Sequence, residues 1–411
     1  MGPSPPVPET FHALALSLYR LAAKVIGVWL GRHEIVESVY AHRSVATGEV
    51  SFGRSDIDLM MVVRPPESAS ADGPELASLY ERVQLLRRLH PALTHVQMHD
   101  PRGLERWIRT DTYRGSTERR SALLLAGKPA AMPSVTVRRE DAVRWFAFYP
   151  AHFFSTAVRE RNSRNLRKIA TEMWSAYVVA QGRTPEPDLT RKQAEARARI
   201  EEDGAGLAEL ASYPERAPDF VFGLAKRLHD GLLPPLEPLR EPFVFRAPLA
   251  PRSRLRVFVI PPGPGYAPPA EAFEADSFLA TPELLHLCSH YVNPFAAWGL
   301  PPELSRLGFV RPSPREYVRA CLFYLQDNTL RNVGFAHRDT WVAGATVAVV
   351  AHSIPYLRNG EIPPPMQAQN MQALLEHRPS VAEFYREEFG RIYSQSQGQL
   401  EVLEELERRL G

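Results

Sequence analysis

The chain has 411 residues, 44% of them hydrophobic and 23% charged, with a formal net charge of +2. These are the proportions of a globular protein long enough for two or three domains. Near-neutrality excludes a whole-chain field that would draw it to nucleic acid, so any basic surface must be local. Two cysteines, Cys288 and Cys321, exclude a disulfide framework and point to a reducing, cytoplasmic setting. The opening MGPSPP lacks the basic start and apolar core of a signal peptide. No stretch is expected to be long and uncharged enough to span a bilayer, since the most apolar early helix carries Arg20 and Lys24.

In chain order, residues 11–31 read as an amphipathic helix and 35–41 as a strand. A turn containing Ser44 and Gly48 then leads to Ser55-Asp56-Ile57-Asp58-Leu59 at the head of the apolar run ending at Val63. In a strand, residues i and i+2 share a face, so Asp56 and Asp58 are expected to project together while Ile57 and Leu59 enter the core. Two crowded carboxylates repel each other unless a cation sits between them. Oxygen-only pairs suit Mg²⁺, which is often held by one or two carboxylates plus substrate phosphates.

The stretch from Val39 to Leu59, with Ser44 in the turn and Asp-Ile-Asp on the next strand, resembles the signature of the nucleotidyltransferase superfamily, to which DNA polymerase beta belongs. The resemblance covers about the first third of the chain. It implies an α+β fold built on a small mixed sheet, and Mg²⁺-dependent transfer of a nucleotide from ATP or another NTP to an acceptor hydroxyl. It further implies one or two Mg²⁺ ions on Asp56 and Asp58, with Ser44 contacting the triphosphate and Arg43, Gly48 and Ser55 in the same nucleotide-binding turn. One departure is evident: the family glycine before the serine is Arg43 here. Glycine lets the backbone approach phosphate closely, so Arg43 either crowds the nucleotide or offers its guanidinium to it.

A helix over 74–89 and a strand over 93–99 follow. The period of 2 puts Leu93, Val96 and Met98 toward the apolar side and His95, Gln97 and His99 on the other. In active relatives this strand supplies a third acid, and here the cleft-facing positions hold none. Asp100 is the nearest carboxylate but has the wrong parity unless a bulge re-aims it. Three explanations stand: a histidine such as His99 as base, a carboxylate from another segment, or catalysis lost with binding retained. Residues 116–127 read as a closing helix and loop.

Beyond a first domain at 1–133, a helical bundle is expected over 134–235, with helices at 140–157 and 165–181 stopped by Gly182. Its layout loosely resembles aminoglycoside nucleotidyltransferases, which favours a small-molecule acceptor and leaves RNA or protein open. Arg164, Arg167 and Lys168 would reach triphosphate oxygens if they face the cleft, and Glu172 is a further candidate base. Shorter helices are expected over 190–200, 206–212 and 220–232. A mainly helical region at 236–411 opens with strands at 243–245 and 255–260. Thr281 opens one later helix, and Ser313 with Glu316 has capping-box spacing for another. Apolar 341–354 and a long 380–410 complete the helices. His286 and His290 share a helix face that zinc could use, and Asp327, Asn328, Arg331 and Asn332 form a polar cluster. No membrane partner is expected.

Overall fold

The computed structural model describes residues 9–48, 50, 52–53, 55–64, 73–159, 163–184, 239–246, 257–260, 277–279, 312–326, 341–364 and 383–411. Single positions at 192, 194–195, 198, 237, 262, 307, 366–367, 369–370 and 373 are also described. Apart from those single positions, the expected helices at 190–232 lie outside these residues, as do the helix at Thr281, the His286/His290 pair with Cys288, and the polar cluster at 327–332. The fold is α+β and comprises two compact units: Met1–Thr136 with Leu322–Ile354 and Ala373–Glu405, and Val137–Cys321 with Pro355–Gln372 and Leu406–Gly411.

The first unit is built on a mixed four-stranded sheet that follows an N-terminal helix. Helix α1 (Glu9–Leu30) precedes β1 (Val36–His42), a one-turn α2 (Ser44–Thr47) and β2 (Ile57–Val63). Then come α3 (Gly73–Leu89), β3 (Leu93–His99), α4 (Pro101–Thr110), α5 (Thr112–Ser121) and β4 (Leu123–Gly127). The sheet order is β3-β2-β1-β4. β1 and β2 are antiparallel, β2 and β3 are parallel across the α3 crossover, and β4 pairs antiparallel with the far edge of β1. A parallel pair needs such a crossover, and a helix of α3's length supplies it.

Every residue of β2 is buried, because both faces of the sheet are covered. Tyr40, Met60 and Val62 on one face meet Leu104, Trp107 and Ile108 of α4. The other face takes α1 and α3. Two glycines let α1 sit close: a Cβ on Gly27 would lie 2.6 Å from Leu125 Cβ, and one on Gly31 2.7 Å from Ala126 Cβ. Lys24 Nζ donates to the Leu125 carbonyl at the same contact.

The expectation about bilayer-spanning stretches needs correcting. Phe11–Leu30 is long and apolar enough to cross a membrane by length and composition, because two charges do not offset that many aliphatic residues. One face of this helix, with Ala15, Ala23, Ile26 and Leu30, is buried. The loop expected before residue 127 is instead strand β4, whose short leucine run completes the sheet edge.

The same unit includes the C-terminal end of α8 (Pro314–Gln326), from Leu322 onward, and most of α9 (Trp341–Arg358). A π turn, Phe384–Glu388, runs into α10 (Phe389–Leu410). Tyr385 packs on Tyr80 of α3, and Arg106 of α4 reaches Gln397 at 2.7 Å and Glu404 at 2.5 Å. Ser313 and Glu316 form the expected capping box, the Ser313 N–H donating to Glu316 Oε2 at 2.7 Å.

In the second unit the paired helices α6 (Arg139–Arg159) and α7 (Ser163–Ala180) pack on each other. Gly182 follows α7 at φ 74°. Strands Phe243–Arg246, Val257–Ile260 and Ser277–Leu279 form a small second sheet, the first two antiparallel as expected. The buried Asp141 carboxylate lies 3.0 Å from Arg138, and Arg319 pairs with Glu407 at 2.7 Å.

Candidate functional site

The site forms where β1 ends, α2 turns and β2 begins. Register places His42 of β1 opposite Asp58 of β2, and Asp58 beside His95 of β3. Residues opposite each other in adjacent strands share a face, so His42, Asp58 and His95 form one row across three strands. Asp58 is 6% exposed. The His95 Nδ1–H donates to Asp58 Oδ1 at 2.7 Å, and Arg43 Nη1 lies 3.7 Å from the same oxygen. Burial acts to raise the Asp58 pKa; Arg43, the His95 hydrogen bond and the two imidazoles outweigh it and hold the carboxyl well below its ordinary range. Asp58 is therefore an ionised carboxylate kept almost out of water.

A second buried carboxylate stands behind the row. The His42 Nδ1–H donates to Glu118 Oε2 of α5 at 3.0 Å, both side chains being essentially inaccessible. Burial acts to raise the Glu118 pKa, and His42, then Arg43 and Arg114, pull it down to about 2. An ionised Glu118 fixes Nδ1 of His42 as the donor and turns Nε2 away from the carboxylate. That buried Nε2, like Arg43 Nε, has no hydrogen-bond partner among the described residues.

Arg43 holds a second distinction: its φ of 55° with ψ −134° is the sole positive φ among the described non-glycine residues. The side chain thus occupies a backbone shape that glycine favours. The turn is tied down from several sides. Gly48 caps α2 at φ 89°, its N–H donating to the Ser44 carbonyl. Val45 is fully buried, and Arg20 of α1 reaches the Val45 and Ala46 carbonyls at 3.4 Å. Ser44 Oγ makes a long 3.5 Å contact to the Asp56 carbonyl, which brings the hydroxyl beside the Asp-Ile-Asp segment. Asp56 itself lies just before β2 and is exposed, while Ser55 is buried. The two aspartates, expected to project together, thus differ in setting: Asp58 is walled in and Asp56 faces solvent.

The remaining sequence candidates lie elsewhere. His99 ends β3, about 13 Å along the strand from His95 at ~3.3 Å per residue, and Asp100 follows it. His99 is buried with its ring 5.3 Å from Trp107. Asp100 caps α4: one oxygen accepts the Gly103 N–H at 2.7 Å and the other the Tyr393 hydroxyl. Glu172 sits half-buried on α7 of the second unit. Arg164, Arg167 and Lys168 belong to the same helix, their side chains outside the described part.

Sequence reasoning placed His95 on the right side of β3 but did not select it over His99, because strand parity gives the face and not the level. His42 and Glu118 were missed. His42 directly precedes the Arg43-Ser44 turn, a position that invites inspection; Glu118 becomes visible only when α5 is folded under the sheet. Among the described residues no group of three or more His, Cys, Asp or Glu side chains has the arrangement of a metal centre. No protein-family model, no curated protein and no solved structure matches this chain.

Proposed function

We propose that the start of β2 is a nucleotide site of the nucleotidyltransferase kind, at which AMP or another nucleotide passes from a triphosphate to an acceptor hydroxyl with release of pyrophosphate. The observation that carries this reading is the turn at Arg43-Ser44. It retains a glycine-like backbone shape, sets the Ser44 hydroxyl beside Asp56, and stands next to an ionised Asp58. The element order helix–strand–turn–strand–helix–strand around a mixed sheet agrees with it.

Asp56 and Asp58 would hold one Mg²⁺ in the way that ion takes one or two carboxylates and completes its shell with phosphate oxygens and water. When bound, it would supply charge stabilisation to the departing pyrophosphate. The protein's own groups do the rest. Ser44 donates to a triphosphate oxygen, and Arg43 swings from Asp58 to a second one, relieving its unpaired Nε. His95, oriented by Asp58 through Nδ1, is the base for the hydroxyl proton. The acceptor is a small molecule by the weaker resemblance, and the setting is cytoplasmic.

A second reading has its own observation. Arg43 and His95 already compensate Asp58, as they would in a nucleotide-binding or protein-interaction module that has lost transfer. Titration calorimetry with ATP and a non-hydrolysable analogue, with and without Mg²⁺, tests the site on the native chain and on Asp56→Asn/Asp58→Asn. Mg²⁺-dependent binding lost in the double variant supports the site, and no binding by the native chain refutes it. Pyrophosphate release across an acceptor screen then separates transfer from binding alone.

A further inference from the structure

The outer face of α1 is unusually apolar. Phe11, Leu14, Leu18, Leu21, Val25 and Val28 are each between 37% and 62% exposed. Their spacing is 3-4-3-4-3, the heptad pattern in which side chains of one helix seat between those of another. At 100° per residue they lie on one stripe, roughly opposite the face buried on the sheet. Phe52, itself exposed, meets Phe11 edge-on at 5.8 Å and extends the patch to the segment that leads into Asp56.

We propose that this stripe pairs with the same stripe of a second copy, so that the chain is a symmetric homodimer joined through α1. The area is adequate. Six side chains exposed to this degree present on the order of 600 Å² per copy, or about 1,200 Å² in the pair. That total enters the range of specific, stable interfaces, whereas the patch is at the upper limit for a monomer. The six residues span about 27 Å of helix, and a heptad stripe matches itself about a two-fold axis.

The helix is also preorganised. Gly27 and Gly31 seat it against β4, and Lys24 ties it to the Leu125 carbonyl. Pairing therefore carries little of the ordering cost that weakens short free coiled coils. A lipid surface fits less well. Interfacial helices keep Lys and Arg beside the apolar face for headgroups, and here Arg20 and Lys24 are turned to carbonyls of their own chain. This inference does not depend on the nucleotide reading.

Sedimentation equilibrium on the full chain tests it, with Leu18→Gln/Leu21→Gln and, separately, Val25→Gln. The native chain is expected to be dimeric across the micromolar range. The double variant should dissociate about 100-fold more readily, with unchanged circular dichroism, and Val25→Gln should lie between. A native chain that stays monomeric overturns the proposal, as does a well-folded double variant as dimeric as the native chain. Flotation with phosphatidylcholine–phosphatidylserine vesicles is the companion arm: a monomer that floats, and ceases to float in the double variant, assigns the stripe to lipid instead.

Discussion

Arg43 offers a test that separates backbone strain from charge. Its φ of 55° and ψ of −134° cost any side-chain-bearing residue about 1–3 kcal/mol. Replacing it with alanine removes the guanidinium beside Asp58 and leaves that strain in place. Replacing it with glycine removes the same guanidinium and the strain as well. The lost charge is common to both variants and cancels in their comparison. Against the relieved strain stands the larger unfolded-state entropy of glycine, about 0.4–1 kcal/mol. Arg43→Gly should therefore be more stable than Arg43→Ala by about 1 kcal/mol, reversing the usual order of the two residues. For a folding unit of this size that is a difference of about 2–4 °C in Tm. Urea unfolding followed by circular dichroism gives the same quantity from midpoints at equal slope. An alanine variant as stable as the glycine variant would refute the claim that this turn keeps a glycine geometry under an arginine.

Three further outcomes follow from buried contacts. His42→Ala strands the Glu118 carboxylate without its partner and should cost about 3 kcal/mol in denaturant unfolding. The Glu118 pKa lies near 2 against an ordinary 4.5, so its contribution is fully present above about pH 4.5 and is lost as pH falls toward 2. Glu118→Gln should accordingly flatten the stability profile across that acid window while leaving its shape near neutrality unchanged. Gly27→Ala would drive a Cβ to 2.6 Å from Leu125 Cβ and should lower stability by about 1–3 kcal/mol, read as a fall in Tm.

What the sequence disclosed follows from which interactions are local. Helices α1, α3, α6 and α7 and strands β1 to β3 carry their period in the chain itself, and their limits were legible to within a residue or two. The Ser313 capping box was legible for the same reason, since its partners are three residues apart. Strand β4 was not: five residues from Leu123 to Gly127 carry no alternation, and only the open edge of β1 makes them a strand. Helix α4 announced itself through Asp100-Pro101, a capping residue followed by proline at the first helical position. Reading Asp100 as a catalytic candidate drew attention away from that signal. At the site, strand parity gave Asp58 and His95 a common face, and pairing register, which depends on two strands at once, decided that they meet.

Charge balance connects the two readings of the site. Asp56 and Asp58 contribute two formal negative charges at the turn, with Arg43 as the cation beside Asp58, while Glu118 has His42 and Arg114 beside it as well. Arg43 therefore offsets one of the two aspartates and leaves about one negative charge for a bound cation. A chain that had replaced its metal outright with an arginine would leave no such deficit. This makes the ordering of divalent-ion affinity informative, with Mn²⁺ as a spectroscopic stand-in for Mg²⁺ followed by paramagnetic resonance. Arg43→Gly, which adds one net negative charge, should bind Mn²⁺ more tightly than the native chain. Asp58→Asn, which removes one and also a ligand, should bind it least, by about tenfold or more. If Arg43→Gly binds no better than the native chain, the guanidinium and the metal do not compete for Asp58, and the charge argument fails.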